Sequence, residues 1–345
     1  MTQSPVQRLF DGPLDIVGDV HGEISALEQL LENMGYAPNG EHPAGRRLVF
    51  LGDLVDRGED SPAVVKRVSD LVRNGLAQCV LGNHELNLLL DSRKEGNGWF
   101  YAQTDDHDHS RGHFRDAPRA DASERDAILK WFSTLPLALE REDLRVVHAC
   151  WHPPAINDLR DDARPVRDLC ENWSERVEAS AEHDGLYAAR KEELQQWKKA
   201  LHDPEALVPM LPAIAAIDAR TQSMNPVKVL TSGLERQTSQ PFFSNGRWRM
   251  TEREAWWNEY SDEPAVVFGH YWRWPGDERE ATARSRGPNL FDGTSTWQWL
   301  GPLGNAMCVD YCAGLRWRER KSGVQQHVGL LAAVRWPERD VITSG

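Results

Sequence analysis

The stretch LDIVGDVHG at residues 14–22 contains the first clear fold signal of the chain. Its first four residues form a short, largely apolar run, which leads into a glycine-flanked pair of polar side chains, Asp19 and His21. Apolar residues then recur at helical spacing up to Gly35, where a helix is expected to end. The pattern therefore predicts a strand, a polar turn and a helix, in that order.

The same arrangement occurs twice more, in RLVFLGD at residues 47–53 and AQCVLGNHE at residues 77–85. A helical stripe of apolar residues lies between them at 64–72. Strands that alternate with helices about every 30 residues are typical of βαβ units and a largely parallel sheet. The ligand site of such a sheet lies beyond the carboxyl ends of its strands. Later apolar runs predict further strands at 144–148, 265–268, 307–310 and 330–335.

The organisation of the chain favours one domain over residues 1–345, because 345 residues contain no internal repeat and no long low-complexity linker. Residues from 155 onward are charged, with helical patterns broken by proline. We therefore expect a helical insertion or cap at 155–260.

The charge balance of 40 basic against 53 acidic residues, a net −13, argues against general nucleic-acid binding and against membrane-surface binding. No apolar run approaches the roughly 20 residues needed to cross a bilayer. The polar segment 1–7 lacks the apolar core of a secretion signal. Five cysteines, an odd number without repeated short spacing, favour a reduced compartment. Together these features predict a cytoplasmic protein.

The side chains at the strand ends are metal ligands by type. They combine oxygen and imidazole donors: Asp19, His21, Asp53, Asn83, His148 and His270. Such a mixed set suits manganese, iron or zinc, whereas calcium or magnesium alone prefers oxygen ligands. A carboxylate shared between two ions is the arrangement that a two-metal hydrolase needs. We predict two divalent ions, with manganese as the first choice and iron, zinc, cobalt or nickel as alternatives.

The three motifs GDVHG, GDLVDRG and GNHE, at residues 18–22, 52–58 and 82–85, resemble in order and spacing the signatures of one protein family. This is the phosphoprotein-phosphatase branch of the calcineurin-like metallophosphoesterases. VHA at 147–149 and GH at 269–270 look like the two later histidines of that branch. Within it, the chain is most similar to the bacterial group of symmetrical diadenosine tetraphosphatases and small phosphatases. The resemblance implies an α/β sandwich of two mixed sheets flanked by helices, and it does not cover residues 155–260.

The resemblance also implies a role for each ligand. The first ion would be held by Asp19, His21 and Asp53. The second would be held by Asp53, Asn83, His148 and His270, so that Asp53 bridges the two. A hydroxide between the ions would then attack phosphorus directly, and the chain would be a metal-dependent phosphoesterase acting on phosphomonoesters.

Three further residues have implied roles in catalysis. His84 would be the general acid that protonates the leaving oxygen, oriented by Asp56, and an imidazole held by a carboxylate keeps its proton more readily. Arg57 would bind phosphate oxygens together with Asn83, because a guanidinium fork matches phosphate bidentately.

Several substrates remain open at this level: a phosphorylated small molecule, a nucleotide or a phosphoprotein. The eukaryotic-type phosphatases usually carry arginine before the third motif, where this chain has Leu81. That departure agrees better with an alternative function, the hydrolysis of dinucleoside polyphosphates or nucleotide anhydrides. A third hypothesis is a catalytically weak binding or scaffold protein of the same fold.

Some residues near the motifs have a structural alternative. Asp56 is also a potential cap for the helix near Asp60. Tryptophans close to the later histidines would either stack a nucleobase or pack loops, and packing is favoured: Trp151, Trp272 and Trp274. The acidic and histidine-rich run at 105–113 is taken as a solvated loop. Candidates for a second phosphate-binding cation are Arg111, Arg160, Arg190 and Arg273.

Overall fold

The computed structural model describes residues 4–94, 96–101, 117–244, 246–276, 287–324 and 326–345. The run at 105–113, which includes Arg111, lies outside these described residues. None of the helices in the described ranges has the length and apolar content needed to cross a membrane.

Two five-stranded sheets form the centre of the molecule. The first has the order β1-β5-β6-β9-β10, with bounds Val6–Arg8, Ala138–Glu140, Leu144–Val147, Ala265–Phe268 and Ala306–Cys308. The second has the order β12-β11-β2-β3-β4, with bounds Val341–Thr343, Ala332–Trp336, Leu14–Val17, Arg47–Phe50 and Ala77–Cys79. Strands β2, β3 and β4 are parallel, as are β6, β9 and β10, whereas β11 is antiparallel to β2. The sheets are therefore mixed.

The two sheets share a buried apolar cluster, and this cluster defines the sandwich. Leu14, Ile16 and Val49 contribute to it from one sheet, and Val146 and Val267 from the other. Helices α1 (Ile24–Met34), α2 (Ser61–Arg73) and α3 (Asn83–Leu89) follow β2, β3 and β4 in the chain. Further helices are α4 (Gly98–Tyr101), α5 (Ala122–Phe132) and α11 (Arg316–Lys321). The predicted two-sheet sandwich with flanking helices is confirmed.

The segment from 153 to 253 is helical in its first part only. It contains α6 (Pro153–Arg160), α7 (Val166–His183), α8 (Leu186–Trp197), α9 (Pro212–Ser223) and α10 (Pro226–Ser232). An antiparallel hairpin of β7 (Glu235–Ser244) and β8 (Arg247–Arg253) follows. The expectation of a helical insertion over all of 155–260 is therefore wrong for 235–253. Polar residues dominate both strands, and Met250 of β8 belongs to a buried apolar cluster that also contains Ile214 of α9. The division into a domain and an insertion stays a prediction.

The buried carboxylate of Asp15 anchors the start of β2. Asp15 is fully buried, and the Arg46 guanidinium donates to both its oxygens at 3.0 and 3.1 Å. Arg335 from β11 and the hydroxyl of Tyr36 also donate to this carboxylate, at 3.1 and 2.9 Å. Arg46 in turn donates to the carbonyl of Leu14 at 2.7 Å. The network connects β2, β11 and the chain before β3 at the sheet edge opposite the three motifs.

We predict that Arg46→Met lowers the free energy of unfolding by about 3 kcal/mol, because it leaves a buried carboxylate short of its main partner. Urea unfolding monitored by circular dichroism measures the change. Lys66→Met is the matched control, since Lys66 pairs with Asp70 on the solvent side of α2 and exposed pairs contribute little. Equal, small effects of both substitutions would contradict the role given to the Asp15 network.

Candidate active site

Strand register brings the three motifs to one edge of the second sheet. Val17 is paired with Phe50, and Phe50 with Cys79, so the three parallel strands end side by side. Each strand is followed within a few residues by a predicted ligand: Asp19, Asp53 and Asn83. Strands β6 and β9 of the other sheet lead into His148 and His270 in the same way. The fold therefore assembles residues that are far apart in sequence.

Asp53 lies at the centre of this assembly. Ligand atoms of Asp53, His21 and His84 lie within 4.8 Å of one another, and so do those of Asp53, His148 and His270. The Oδ2 atom of Asp53 is 3.9 Å from His21 Nε2 and 3.7 Å from His84 Nε2, whereas Oδ1 is 3.4 Å from His148 Nε2. One carboxylate thus faces two groups of imidazoles with different oxygens.

The second group contains ligand atoms that converge on Asn83 Oδ1. His148 Nδ1 is 2.7 Å from the carbonyl of Leu51, to which it must donate, so Nε2 carries a lone pair. That atom lies 3.2 Å from Asn83 Oδ1, which is an acceptor as well. His270 Nδ1 approaches the same oxygen at 2.8 Å, and the other ring nitrogen of His270 is buried without a hydrogen-bond partner. A convergence of acceptors of this kind fits a divalent ion.

Burial keeps the imidazoles of the second group neutral, as metal ligands must be. It lowers the pKa of His148 below its ordinary value. The pKa of His270 is lowered further by burial, with the nearby guanidinium of Arg253 adding to the effect.

The first group also contains a buried imidazole with a lowered pKa, that of His21. His21 Nδ1 lies 3.2 Å from the carbonyl of Val55, and Nε2 lies 2.6 Å from the guanidinium of Arg57. Burial lowers the pKa of His21, and Arg57 lowers it further. Asp19 belongs to neither 4.8 Å group, and its carboxylate accepts the backbone N–H of His270 at 3.1 Å.

Three carboxylates crowd the same region. Burial raises the pKa of Asp19 well above its ordinary range, and repulsion from Asp310 and Asp53 adds to this. Bound cations would relieve that repulsion. The chemistry of the donor set therefore fits two ions, in agreement with the ligand types.

The backbone around these residues is strained. Five residues that are not glycine adopt positive φ angles, between 46° and 74°: His21, Asp53, Asp56, Arg57 and His270. Each such conformation costs about 1–3 kcal/mol and persists only where neighbouring contacts impose it. They are concentrated at the ends of β2, β3 and β9, and clustering of such residues is typical of functional sites. Sequence patterns do not show it, because a local pattern does not fix the φ angle of a residue that is not glycine.

Glu85 is one neighbour that imposes it. Its fully buried carboxylate accepts the backbone N–H groups of Asp53 and Leu54, both at 2.8 Å, and of Gly82 at 3.0 Å. Burial raises the pKa of Glu85 to about 8. Glu85 stands inside the third motif, but its residue type alone does not distinguish a positioning carboxylate from a ligand.

His84 and Asp56 form a direct pair. Their Nδ1 and Oδ2 atoms are 2.6 Å apart, and both side chains are buried. Burial lowers the pKa of His84, but the carboxylates of Asp53 and Asp56 outweigh it, and the net effect raises the pKa. The alternative role of Asp56 as a helix cap falls to Asp60, whose carboxylate accepts the N–H of Ala63 at 2.8 Å. The other oxygen of Asp56 accepts the indole N–H of Trp99 at 2.6 Å, a contact that the sequence does not foreshadow.

Arg57 lies between His21 and the ring of Trp272, with its guanidinium carbon 5.1 Å from the ring centroid. Asp310 holds Trp272 in place by accepting its backbone N–H at 2.8 Å, and that of Cys312 at 3.0 Å. Asp310 therefore supports the site through the backbone of the loop after β9. Trp151 is buried under the guanidinium of Arg145 and does not form an exposed stacking surface.

Three of the four candidates for a second phosphate-binding cation are among the described residues, and they lie elsewhere in the fold. Arg160 pairs with Glu140, and Arg273 is buried with its guanidinium donating to two backbone carbonyls. Arg190 lies on α8. Arg253 at the end of β8, which the sequence did not single out, is exposed and lies over the ring of Tyr271 at 5.8 Å. No ion pair to it occurs among the described residues.

Two curated proteins are similar to parts of this chain. An asymmetrical bis(5'-nucleosyl)-tetraphosphatase of Oceanobacillus iheyensis is 49% identical over 74 residues, which are 21% of this chain and 30% of that protein. A symmetrical bis(5'-nucleosyl)-tetraphosphatase of Marinomonas sp. is 34% identical over 142 residues, 39% of this chain and 45% of that protein. The chain thus spans less than half the length of these curated relatives.

Among solved structures, a cold-active protein-tyrosine phosphatase of a Shewanella species aligns over 99% of this chain and 83% of its own, at 14% identity. The TM-score of this alignment is 0.44. A family model, however, matches residues 12–208, more than half of the chain, including five of the six predicted ligands and His84. By this match, and in agreement with the motif resemblance, the chain belongs to the calcineurin-like phosphoesterase family.

Proposed function

We propose that this protein is a divalent-metal-dependent phosphoesterase that hydrolyses phosphomonoesters. The observation that carries the proposal is the carboxylate of Asp53, which faces two groups of buried imidazoles with different oxygens. The ligands we assign to the two ions are Asp19, His21, Asp53, Asn83, His148 and His270. When bound, two such ions would activate a water molecule for attack and neutralise phosphate oxygens.

The remaining residues act on the substrate. His84 donates a proton from Nε2 to the leaving oxygen, because its Nδ1 is engaged by Asp56 at 2.6 Å. Arg57 and Asn83 bind phosphate oxygens. Arg253 supplies a second cation on the side of His270, supported by its position over the ring of the adjacent Tyr271. A guanidinium on each side would hold the phosphoryl group in line for attack.

For the ions we propose manganese, since the mixed oxygen and imidazole set suits it. Iron, zinc, cobalt and nickel share that preference and are the alternatives to be compared. A cytoplasmic location is proposed from the five cysteines, all of which are buried and unpaired.

A second candidate function is the hydrolysis of dinucleoside polyphosphates or nucleotide anhydrides. Two observations favour it: the curated relatives are named bis(5'-nucleosyl)-tetraphosphatases, and Leu81 replaces the arginine that is usual in phosphoprotein phosphatases. The scaffold hypothesis is the weakest, because none of the expected ligand residues is missing.

We predict that chelator-treated protein binds two Mn²⁺ per chain in calorimetric titration, with the count checked by elemental analysis. Asp53→Ala should abolish both binding events, because both ions need this carboxylate, whereas His148→Ala should remove one. Asp70→Ala, at an acidic residue on the surface of α2, is the control and should retain two. Retention of both ions by Asp53→Ala would exclude a shared ligand.

A substrate panel separates the functions. With Mn²⁺ present, we expect phosphate release from p-nitrophenyl phosphate, small phosphomonoesters or a phosphopeptide, and loss of turnover in excess chelator. Cleavage of diadenosine tetraphosphate into two ADP molecules, without phosphate release from esters, would favour the second candidate instead. No metal-stimulated turnover on any substrate would support the scaffold hypothesis.

We predict that His84→Ala lowers kcat by ~10²–10⁴-fold on an alkyl phosphate, whose leaving oxygen needs a proton. The loss should be much smaller on 2,4-dinitrophenyl phosphate, whose leaving group departs as a stable anion. His202→Ala, at an exposed histidine of the insertion, is the control and should leave both rates unchanged. Equal losses on the two substrates would remove His84 from the role of acid.

A further inference from the structure

Asp56 is only 1% exposed, and each of its carboxylate oxygens has a hydrogen-bond partner. Oδ2 lies 2.6 Å from His84 Nδ1, and Oδ1 accepts the indole N–H of Trp99 at 2.6 Å. Trp99 is itself only 3% exposed. The three side chains therefore form a buried hydrogen-bonded chain that runs from the indole through the carboxylate to the imidazole.

The chemistry of the indole gives this chain a direction. An indole nitrogen is a donor only and does not titrate in the physiological range, so Asp56 must accept at Oδ1. A carboxylate bonded through one oxygen alone would still rotate about its Cβ–Cγ bond. The second bond fixes the carboxylate plane, and with it the direction in which Oδ2 holds the imidazole ring. His84 Nε2 is then kept on the side of Asp53, at 3.7 Å from Oδ2 of Asp53.

The segment that carries Trp99 is anchored independently of the catalytic turn. The carbonyl of Trp99 accepts the backbone N–H of Ala120 at 3.0 Å, and the ring of Phe100 packs edge-on against the indole at 5.4 Å between centroids. Gly96 brings the backbone against this turn, since a Cβ there would lie 3.5 Å from Asp56 Cβ. Trp99 therefore approaches Asp56 from a packed surface.

We propose that Trp99 is a positioning residue for leaving-group protonation, acting through Asp56 on His84. This inference rests on the phosphoesterase function proposed above. Trp99 touches neither phosphate nor the predicted metal ligands in this role, and its contribution is confined to reactions in which His84 transfers a proton.

The test is Trp99→Phe, which keeps an aromatic ring in the cavity and removes the N–H donor. We expect kcat on an alkyl phosphate to fall ~10–100-fold, a part of what general acid catalysis contributes. On 2,4-dinitrophenyl phosphate the change should stay within about 3-fold, and KM should hardly move, because phosphate binding does not involve Trp99. Equal losses on both substrates would overturn the proposal.

The matched control is Trp248→Phe. It also removes an indole hydrogen bond, from Trp248 to the carbonyl of Asp203 at 2.8 Å, but within the insertion. We expect unchanged rates on both substrates. If Trp99→Phe does not fold, as judged by circular dichroism, benzothienylalanine at position 99 keeps the ring size and removes only the donor.

A double-mutant cycle shows whether Trp99 acts through His84. In the His84→Ala background, Trp99→Phe should have no further effect on the alkyl phosphate, because the proton donor is already absent. A further loss in that background would make Trp99 a general structural residue and overturn the proposal.

A readout without turnover distinguishes failure of this inference from failure of the proposed function. In the proton NMR spectrum, the His84 Nδ1–H in its short bond to Asp56 should resonate downfield of the backbone amides and be absent in His84→Ala. Trp99→Phe should shift or broaden this signal, and an unchanged signal would overturn the positioning role. If the signal responds but no phosphate ester is hydrolysed with Mn²⁺, only the proposed function fails.

Discussion

The site depends on one buried carboxylate that stays ionised. Burial alone would raise the pKa of Asp53, but the positive charge of His84, whose own pKa is raised, acts against this, and bound cations would act in the same direction. An ionised Asp53 can present one oxygen to each neighbouring group, and each group then gains a negative ligand. The arrangement of strands, turns and glycines around it can be understood as the means of keeping this carboxylate in place.

Close approach between backbone segments helps to hold the Asp53 carboxylate in place. A Cβ at Gly82 would lie 2.3 Å from the backbone nitrogen of Asp53, and one at Gly269 would lie 2.0 Å from Asp19 Oδ1. Any side chain at these positions would push the turns apart. Glu85 then draws the turn after β3 and the start of α3 together by accepting three backbone N–H groups. The positive φ angle of Asp53 is the strain that this packing sustains.

Around this centre, different parts of the chain supply different contacts. The acid pair is held by Trp99 from the segment after α3, and Arg57 is flanked by Trp272 from the loop after β9. Arg253 comes from the hairpin that follows the helices of the insertion. The three motifs do not include Trp99, Trp272 or Arg253. The aromatic residues near the site therefore act mainly as supports: Trp151 and Trp99 are both buried.

Local sequence was sufficient for β2, whose predicted bounds match the structure, and for the family, because ligand types at strand ends have a regular spacing. It was also sufficient to pair Asp56 with His84 through the family likeness. It missed β1, β5 and β12, which are three residues long and precede no recognised motif, whereas β4 is equally short but leads into GNHE. It also missed the hairpin at 235–253, where the buried face is defined by α9 rather than by alternation.

Only the tertiary structure shows how three residues are placed relative to the site: Trp99, Glu85 and Arg253. Trp99 is 43 positions from Asp56, and Glu85 is 32 positions from Asp53, so neither contact follows from a local period. A motif specifies which atoms are available as ligands and acids, because that is a property of residue type. The direction in which each atom points is decided by packing between distant segments, because only a closed fold fixes the rotamers of buried side chains.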